Sequence, residues 1–307
     1  MKKTMFLLLF IAFLFGQTKA NNDPINIFFN TIISPNNDTK TIAILPFDGD
    51  NSFKARENLY NTISEAVVKS GRFKILEREK LKNILTEIDR NKHDYTRVSE
   101  ELVEQGKIEG AQYFMFGHIN TANIVKTSDK DSKGKTTYRH ECSISVSLRI
   151  VNIETGEIQI SETIQIGEGT YSSVSDDTRD GAWIKGCEKI LSKTEEFLKA
   201  AFPQEVEIVK IISEKKGVAF EILIAAGSEQ GIEKKDEVKI FDIEEIEIGG
   251  EIKEREIHIA TMVVQKVENS DFSICKVTSG GGKLKQRIND DAPIKCKSMA
   301  KRAILKL

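Results

Sequence analysis

Long apolar runs are almost missing from these 307 residues. The one of any length, Met5 to Phe15, has eleven residues, against the about twenty that a helix needs to cross a bilayer, so no spanning helix is expected. An excess of charge of one sign is missing too. Lys and Arg number 45 against 47 Asp and Glu, interspersed as on an ordinary solvated surface, which argues against nucleic acid as a partner. Histidine is scarce: His93, His118, His140 and His258 belong to no metalloprotease-like motif and sit beside no nucleophile, and there is no Gly-x-Ser-x-Gly elbow. The four cysteines, Cys142, Cys187, Cys275 and Cys296, lie 45, 88 and 21 residues apart, which matches no zinc or redox spacing. The expectation is a protein without catalysis, cofactor or metal.

What is present begins at the first residues. Lys2 and Lys3, the apolar run, and Thr18 and Ala20 at leader-peptidase spacing form an export signal cleaved near Ala20. A lipid anchor would need a cysteine at the cleavage point, and the first is Cys142. The chain is therefore expected in the periplasm or associated with the cell envelope. Removing twenty residues from 307 leaves 287, which suits two domains. In an exported protein four cysteines permit two bridges, and the division below would pair Cys142 with Cys187 and Cys275 with Cys296. Four buried free thiols are the equal alternative.

Residues 21–40 read as a leader arm and 41–203 as an α/β domain. Thr41 to Phe47 suits a buried strand with a turn after it at Asp48 to Asn51. A helix follows, with Ala55, Leu59, Ile63, Ala66 and Val67 on one face, Ser52 as its cap and Gly71 as its stop. Phe73 to Leu76 reads as a strand. Helices are expected from Glu79 (Leu81, Ile84, Leu85, Ile88) and over Val98 to Lys107. Gly110 to Ile119 is an apolar strand opening a hairpin-like region with its tip at Ser128 to Lys135. In the return strand Cys142, Ile144, Val146, Leu148 and Ile150 alternate with Ser143, Ser145, Ser147 and Arg149, giving one dry face and one wet. Glu157 to Ile166 returns again, completing an antiparallel meander. A long helix over Asp177 to Phe202 is expected to bury Trp183, Cys187, Ile190, Leu191, Thr194, Phe197, Leu198 and Ala201, and Pro203 stops it.

Residues 204–307 turn to short alternating runs separated by glycines, an all-β pattern that suits a small barrel. The fold class is thus α+β: an α/β sandwich on a mixed sheet, then a small barrel-like domain. Within it Ser279 to Lys283 reads as a hairpin loop. Lys283 to Lys306 holds eight basic residues against Asp290 and Asp291, read as the wet face of a last strand, with anionic envelope polymers as the alternative. Asp129, Asp131 and Gly134 imitate a calcium loop, but Lys133 and His140 stand where oxygen ligands are required. Asp48 and Asp50 are explained more simply by a turn than by a cation.

Three stretches together, FKILEREKLKNIL (73–85), GAQYFMFGHI (110–119) and VSLRIVNIETGEI (146–158), resemble in order and spacing the curli production assembly/transport (CsgG-like) family of the bacterial envelope, over residues 40 to 200. The positions carrying the resemblance are Phe73, Leu76, Glu77, Arg78, Leu81, Gly110, Ala111, Gly117, Arg149, Thr155, Gly156 and Glu157, with structural or interface roles. Glu77 and Arg78 suit an intersubunit ion pair, an intramolecular one, or helix-start charges alike. GSEQGIEKKDEVKIF (227–241) resembles more weakly the C-terminal domain of flagellar assembly protein T, whose pattern has Gly where Lys235 stands. The resemblance implies an accessory of envelope assembly or secretion that contacts other envelope proteins and forms homo-oligomers. The alternative it implies is a subunit of an outer-membrane secretion channel. Channel-forming members insert two long amphipathic hairpins and carry a lipidated N-terminal cysteine. This sequence shows neither, so direct membrane insertion is not expected, while a glycan ligand for the barrel stays open.

Overall fold

The computed structural model describes residues 39–49, 53–76, 100–167 and 174–300. The export signal, the arm up to residue 38, Ser52, the helix from Glu79, and Glu77, Arg78 and Leu81 lie outside them; Lys40, at the end of the arm as read from the sequence, starts the first strand. Strand β1 (Lys40–Ile44) is followed by the short β2 (Asp48–Gly49), helix α1 (Phe53–Ser70), β3 (Phe73–Ile75), helix α2 (Glu100–Glu109), β4 (Tyr113–Lys130), β5 (Thr136–Asn152), β6 (Ile158–Ile166), β7 (Val174–Asp176) and helix α3 (Arg179–Ala201). The sheet they form runs β3-β1-β4-β5-β6. β1 is parallel to β3 and β4, and β4, β5 and β6 follow as an antiparallel meander.

Strand β1 buries Ile42, Ala43 and Ile44 in succession because both of its faces are covered, and a doubly covered strand is apolar throughout. On one face Ile42, Ile44, Met115, Leu148 and Ile150 pack with Leu59, Ile63 and Val67 of α1 and Ile190 and Leu198 of α3. On the other, Ala43, Leu45, Phe114, Phe116 and Val151 pack with Val103 of α2. Thr178 caps α3, its hydroxyl accepting from the Gly181 N–H at 3.0 Å. The buried stripe of α3 is Ala182, Gly186, Ile190, Thr194 and Leu198, one position earlier than the sequence pattern places it at its start. The reason is steric: a Cβ on Gly186 would lie 2.6 Å from the Cys142 Sγ, so only the smallest residue lets α3 close on β5. Trp183 and Cys187 are left half-buried.

The second sheet comprises β8 (Gln204–Val206), β9 (Ile208–Lys215), β10 (Val218–Ile224), β11 (Glu237–Ile248), β12 (Glu251–Val267), β13 (Ser273–Ser279) and β14 (Ile294–Met299), with helix α4 (Gly281–Asn289) between the last two. All neighbours are antiparallel, in the order β8-β14-β11-β12-β13-β10-β9. The edge strands β8 and β9 are separated by Glu207 alone, so the sheet curls until one stretch of chain supplies both edges. Ile222, Ile224, Val238, Ile240, Met262 and Val264 fill it, and Leu284 of α4 packs onto them.

Two further features depart from the sequence reading. Ser279 to Lys283 is not a hairpin loop: Gly280, at φ +75°, starts α4, and Leu284 and Ile288 are its apolar stripe, so this part is not all-β. Strands β4, β5, β11 and β12 also run far past the buried core. Val125–Arg139 and Ile243–Ile257 are two-stranded ribbons in which the hairpin partners pair chiefly with one another. All four cysteines are free thiols, with Cys142, Cys275 and Cys296 buried. Neither bridge weighed from the sequence is formed. Burial pushes the Cys142 thiol up to about 11 and those of Cys275 and Cys296 to about 12.

Candidate functional site

Both sheets belong to one compact unit, Asp38–Leu307, and the seam between them is polar. Gly71, ending α1 at φ +65°, meets Gly231 at φ +66°; a Cβ on either would lie 2.4 Å from backbone atoms of Gln230 or Ser70. This mutual approach leaves room for glycine only. It drives Arg72 into the second sheet. Arg72, 6 % exposed, donates from Nη1 to Gln204 Oε1 (2.8 Å) and the Gln230 carbonyl (3.1 Å), and from Nη2 to the Ser298 carbonyl and hydroxyl (both 3.3 Å). Burial lowers its pKa to about 10, against the pull of Asp236 and Glu195, and it stays cationic at neutral pH.

Lys199 of α3, 1 % exposed, reaches Glu195 at 2.7 Å, Asp236 at 3.3 Å and Glu233 at 3.4 Å. Burial works to lower its pKa; the hydrogen bond to Glu195 and the charges of Asp236, Glu195 and Glu233 outweigh it, and the net shift is upward. Asp236 is held in turn by the Glu233 N–H at 2.9 Å. Lys235 just before it adopts φ +82°, the left-handed conformation for which glycine is the usual residue. The turn is therefore kept without the glycine.

Beside the seam lies a groove of about 840 Å³. One wall is β6, through Glu162, Thr163, Ile164 and Gln165; the floor is α3, through Lys193, Glu196, Phe197 and Ala200. The far wall is the outer surface of the second sheet, with Lys239, His258 and Thr261. β6 ends its sheet, with β5 as its one neighbour along the path, so alternate residues turn their backbone N–H and C=O outward. Lys193 Nζ donates to the Gln165 carbonyl at 2.7 Å, which marks Gln165, and by the period of two Thr163 and Ser161, as the outward set.

Of the sequence-derived positions, those within the described residues lie in the cores and turns. Phe73 is buried and packs edge-on against Phe202 and Tyr113, ring centroids 4.8 and 5.7 Å apart. Leu76 and Ala111 are buried under the opposite face. Gly110 sits at φ +83° after α2 and Gly156 at φ +70° in the β5–β6 turn with Thr155 and Glu157. Gly117 is small because the Phe47 ring lies where its Cβ would be. The Arg149 guanidinium lies 4.8 Å from the centre of the Phe116 ring. None of those described lines the groove. Arg72, Lys199, Asp236 and the edge of β6 were not singled out from the sequence.

His118 Nδ1 lies 2.7 Å from Asp48 Oδ1, and Ser147 stands opposite His118 on β5. The Ser147 hydroxyl is engaged by Asn120 at 2.9 Å and Thr163 at 3.0 Å, and the ring of His118 is half exposed. This is a polar row on open sheet. Asp131 Oδ1 accepts from the N–H groups of Lys133 and Lys135, closing a turn. Among the described residues no group of three or more His, Cys, Asp or Glu is placed to hold a metal ion. Among the described residues the basic C-terminal stretch is largely answered internally: Lys285 by Glu214, Arg287 by Asp242, Lys295 by Glu254 and Lys297 by Glu256.

No curated protein matches the chain. Among solved structures, a hypothetical protein of Chlamydia trachomatis is similar at 15% identity and TM-score 0.33, over 52% of this chain and 98% of that one. The PelC dodecamer of Paraburkholderia phytofirmans is similar at 10% and 0.30, over 52% and 89%. The LpoB C-terminal domain of Salmonella enterica is similar at 14% and 0.27, over 42% and 82%. The family model of the curli production assembly/transport component CsgG matches residues 34–242. That span covers more than half of the chain, from before β1 into β11, and this protein belongs to the CsgG family.

Proposed function

We propose that this protein is a non-enzymatic accessory of assembly or secretion at the cell envelope, an oligomer of identical chains that works by holding extended segments of other envelope proteins. In this reading residues 41–203 are the CsgG-like α/β domain and 204–307 a small barrel-like one. The seam of Arg72 and Lys199 fuses them so that the groove keeps its shape. The observation that carries the reading is the free edge of β6 facing that groove. Proteins usually blunt such edges with lysines or cover them; here Lys193 answers one carbonyl and Thr163 and Ser161 are left to pair. An added strand takes its affinity from main-chain hydrogen bonds and its selectivity from pockets for alternate side chains, which Ile164, Phe197 and Ala200 supply on one side.

The test places a photo-cross-linking residue at Thr163 of the full chain in cells, with exposed Ile108 on α2 as control. Adducts of defined mass at Thr163 alone, in the exported fraction, are expected. A chain retained in the cytoplasm, or an exported chain giving no adduct at Thr163, overturns the reading.

The channel alternative draws support from the length of β4 and β5, 18 and 17 residues, beyond the about nine to eleven of a membrane strand. Their faces oppose it. One face of the first ribbon carries Lys126 and Lys130 with His140; the other carries Asp129 with Arg139 and Glu141. A lipid-facing side is continuous and apolar. Recovery of the chain in the outer membrane after a salt wash would favour the channel.

A further inference from the structure

The two ribbons are opposite in charge. Val125–Arg139 holds Lys126, Lys130, Lys133, Lys135 and Arg139 against Asp129 and Asp131, a balance of +3. Ile243–Ile257 holds Glu244, Glu245, Glu247, Glu251, Glu254 and Glu256 against Lys253 and Arg255, a balance of −4. Lys295 and Lys297 of β14 answer Glu254 and Glu256 from below, Arg255 lies 3.4 Å from Glu244 and Lys253 lies 3.8 Å from Glu251. Glu245 and Glu247 have no cationic partner among the described residues. Neither do Lys130, Lys133, Lys135 and Arg139 have a carboxylate one.

Three observations make these ribbons unfinished as they stand. An isolated two-stranded ribbon is marginal in water, yet both run well past their sheets. Glu245 is directly opposite Glu254 across the ladder, a like-charge pair in which Lys295 reaches Glu254 and no cation reaches Glu245 among the described residues. Each ribbon also exposes apolar side chains: Val125 and Tyr138, 58 % and 57 % accessible, on one, and Ile248 and Ile252, 56 % and 71 %, on the other. No hydrogen bond or ion pair joins the two ribbons within a chain among the described residues.

We propose that the occupant of each ribbon is the opposite ribbon of a second copy of this chain: the basic ribbon Val125–Arg139 of one subunit docks on the acidic ribbon Ile243–Ile257 of the next. The contact joins two different patches, so it is heterologous and repeats from subunit to subunit, closing into a ring where the rotation allows. Lys130, on the face that carries Tyr138, and Lys133 and Lys135 of the turn meet Glu245 and Glu247, on the face that carries Ile252, with Glu251 at the hairpin tip, and Tyr138 packs with Ile252. Charge complementarity fixes the partner and the order of subunits. The inference rests on the oligomeric reading above and deepens it.

The test is a charge swap on the full chain, read as mass by light scattering over a concentration series. Reversing the basic ribbon (Lys130→Glu, Lys133→Glu, Lys135→Glu) or the acidic one (Glu245→Lys, Glu247→Lys, Glu251→Lys) is expected to raise the concentration needed for assembly by about tenfold or more. Carrying both reversals in one chain, or mixing the two variants, restores assembly. A control with the same charge change off the ribbons (Lys107→Glu, Lys189→Glu, Lys210→Glu) assembles as the wild type does. Raising salt from about 0.1 M to 1 M shortens the screening length from about 10 to 3 Å and weakens the wild-type assembly. The reversals lie outside both cores, and an unchanged melting temperature verifies the fold. Assembly that survives both reversals overturns the ribbon contact alone. A wild-type chain that is monomeric throughout the series overturns the oligomeric reading with it.

Discussion

The seam and the ribbons are both rich in charge and use it in opposite ways. At the seam Arg72 and Lys199 are withdrawn from water, and each meets several acceptors at 2.7 to 3.4 Å. On the ribbons the charges stand in water, several without a partner. A buried charge is tolerable only when answered, so the seam has one arrangement and holds the two sheets in it. An exposed charge costs little to leave open, so the ribbons stay soluble and available. The lesson is that position, not number, separates charges that set shape from charges that select a partner.

The largest break in that comparison is Lys199→Met. It leaves Glu195 and Asp236, 8 % and 2 % exposed, without their cation, and urea unfolding should show a loss of about 3–5 kcal/mol. Arg72→Ala comes next, at about 2–3 kcal/mol, because the Ser298 and Gln230 carbonyls and Gln204 lose their donor; the same urea curves measure it. Lys199 also gives the seam a pH signature. Its folded pKa lies above the unfolded value, so its contribution is complete below about pH 10.4 and is lost as pH rises through the folded value. The urea midpoint of the wild type should fall more steeply in strongly alkaline buffer than that of Lys199→Met. Least affected are the exposed pairs: Lys297→Gln, removing the bond to Glu256, should leave the melting temperature within measurement scatter.

Much of the first sheet was legible in the sequence. The Cys142 to Ile150 alternation and the α1 stripe from Leu59 to Val67 carry their periods openly because each has one dry face. α4 was hidden because Gly281 and Gly282 occupy its first turn and its stripe is only Leu284 and Ile288. The ribbons were hidden because a strand with two wet faces has no period of two to read. The seam was hidden for another reason. Lys199 reads as surface by residue type, and its partner Asp236 is 37 residues away; the one local sign is Glu195 four residues earlier on α3.

A double-mutant cycle between Lys199→Met and Asp236→Asn, followed by urea unfolding, tests most directly whether the seam makes the two sheets one body. Trp183 fluorescence reports the first sheet and amide exchange on β11 and β12 the second. The account predicts one shared midpoint in the wild type and a coupling of about 2 kcal/mol between the pair. Two separate midpoints, with a coupling under about 0.5 kcal/mol, would contradict it.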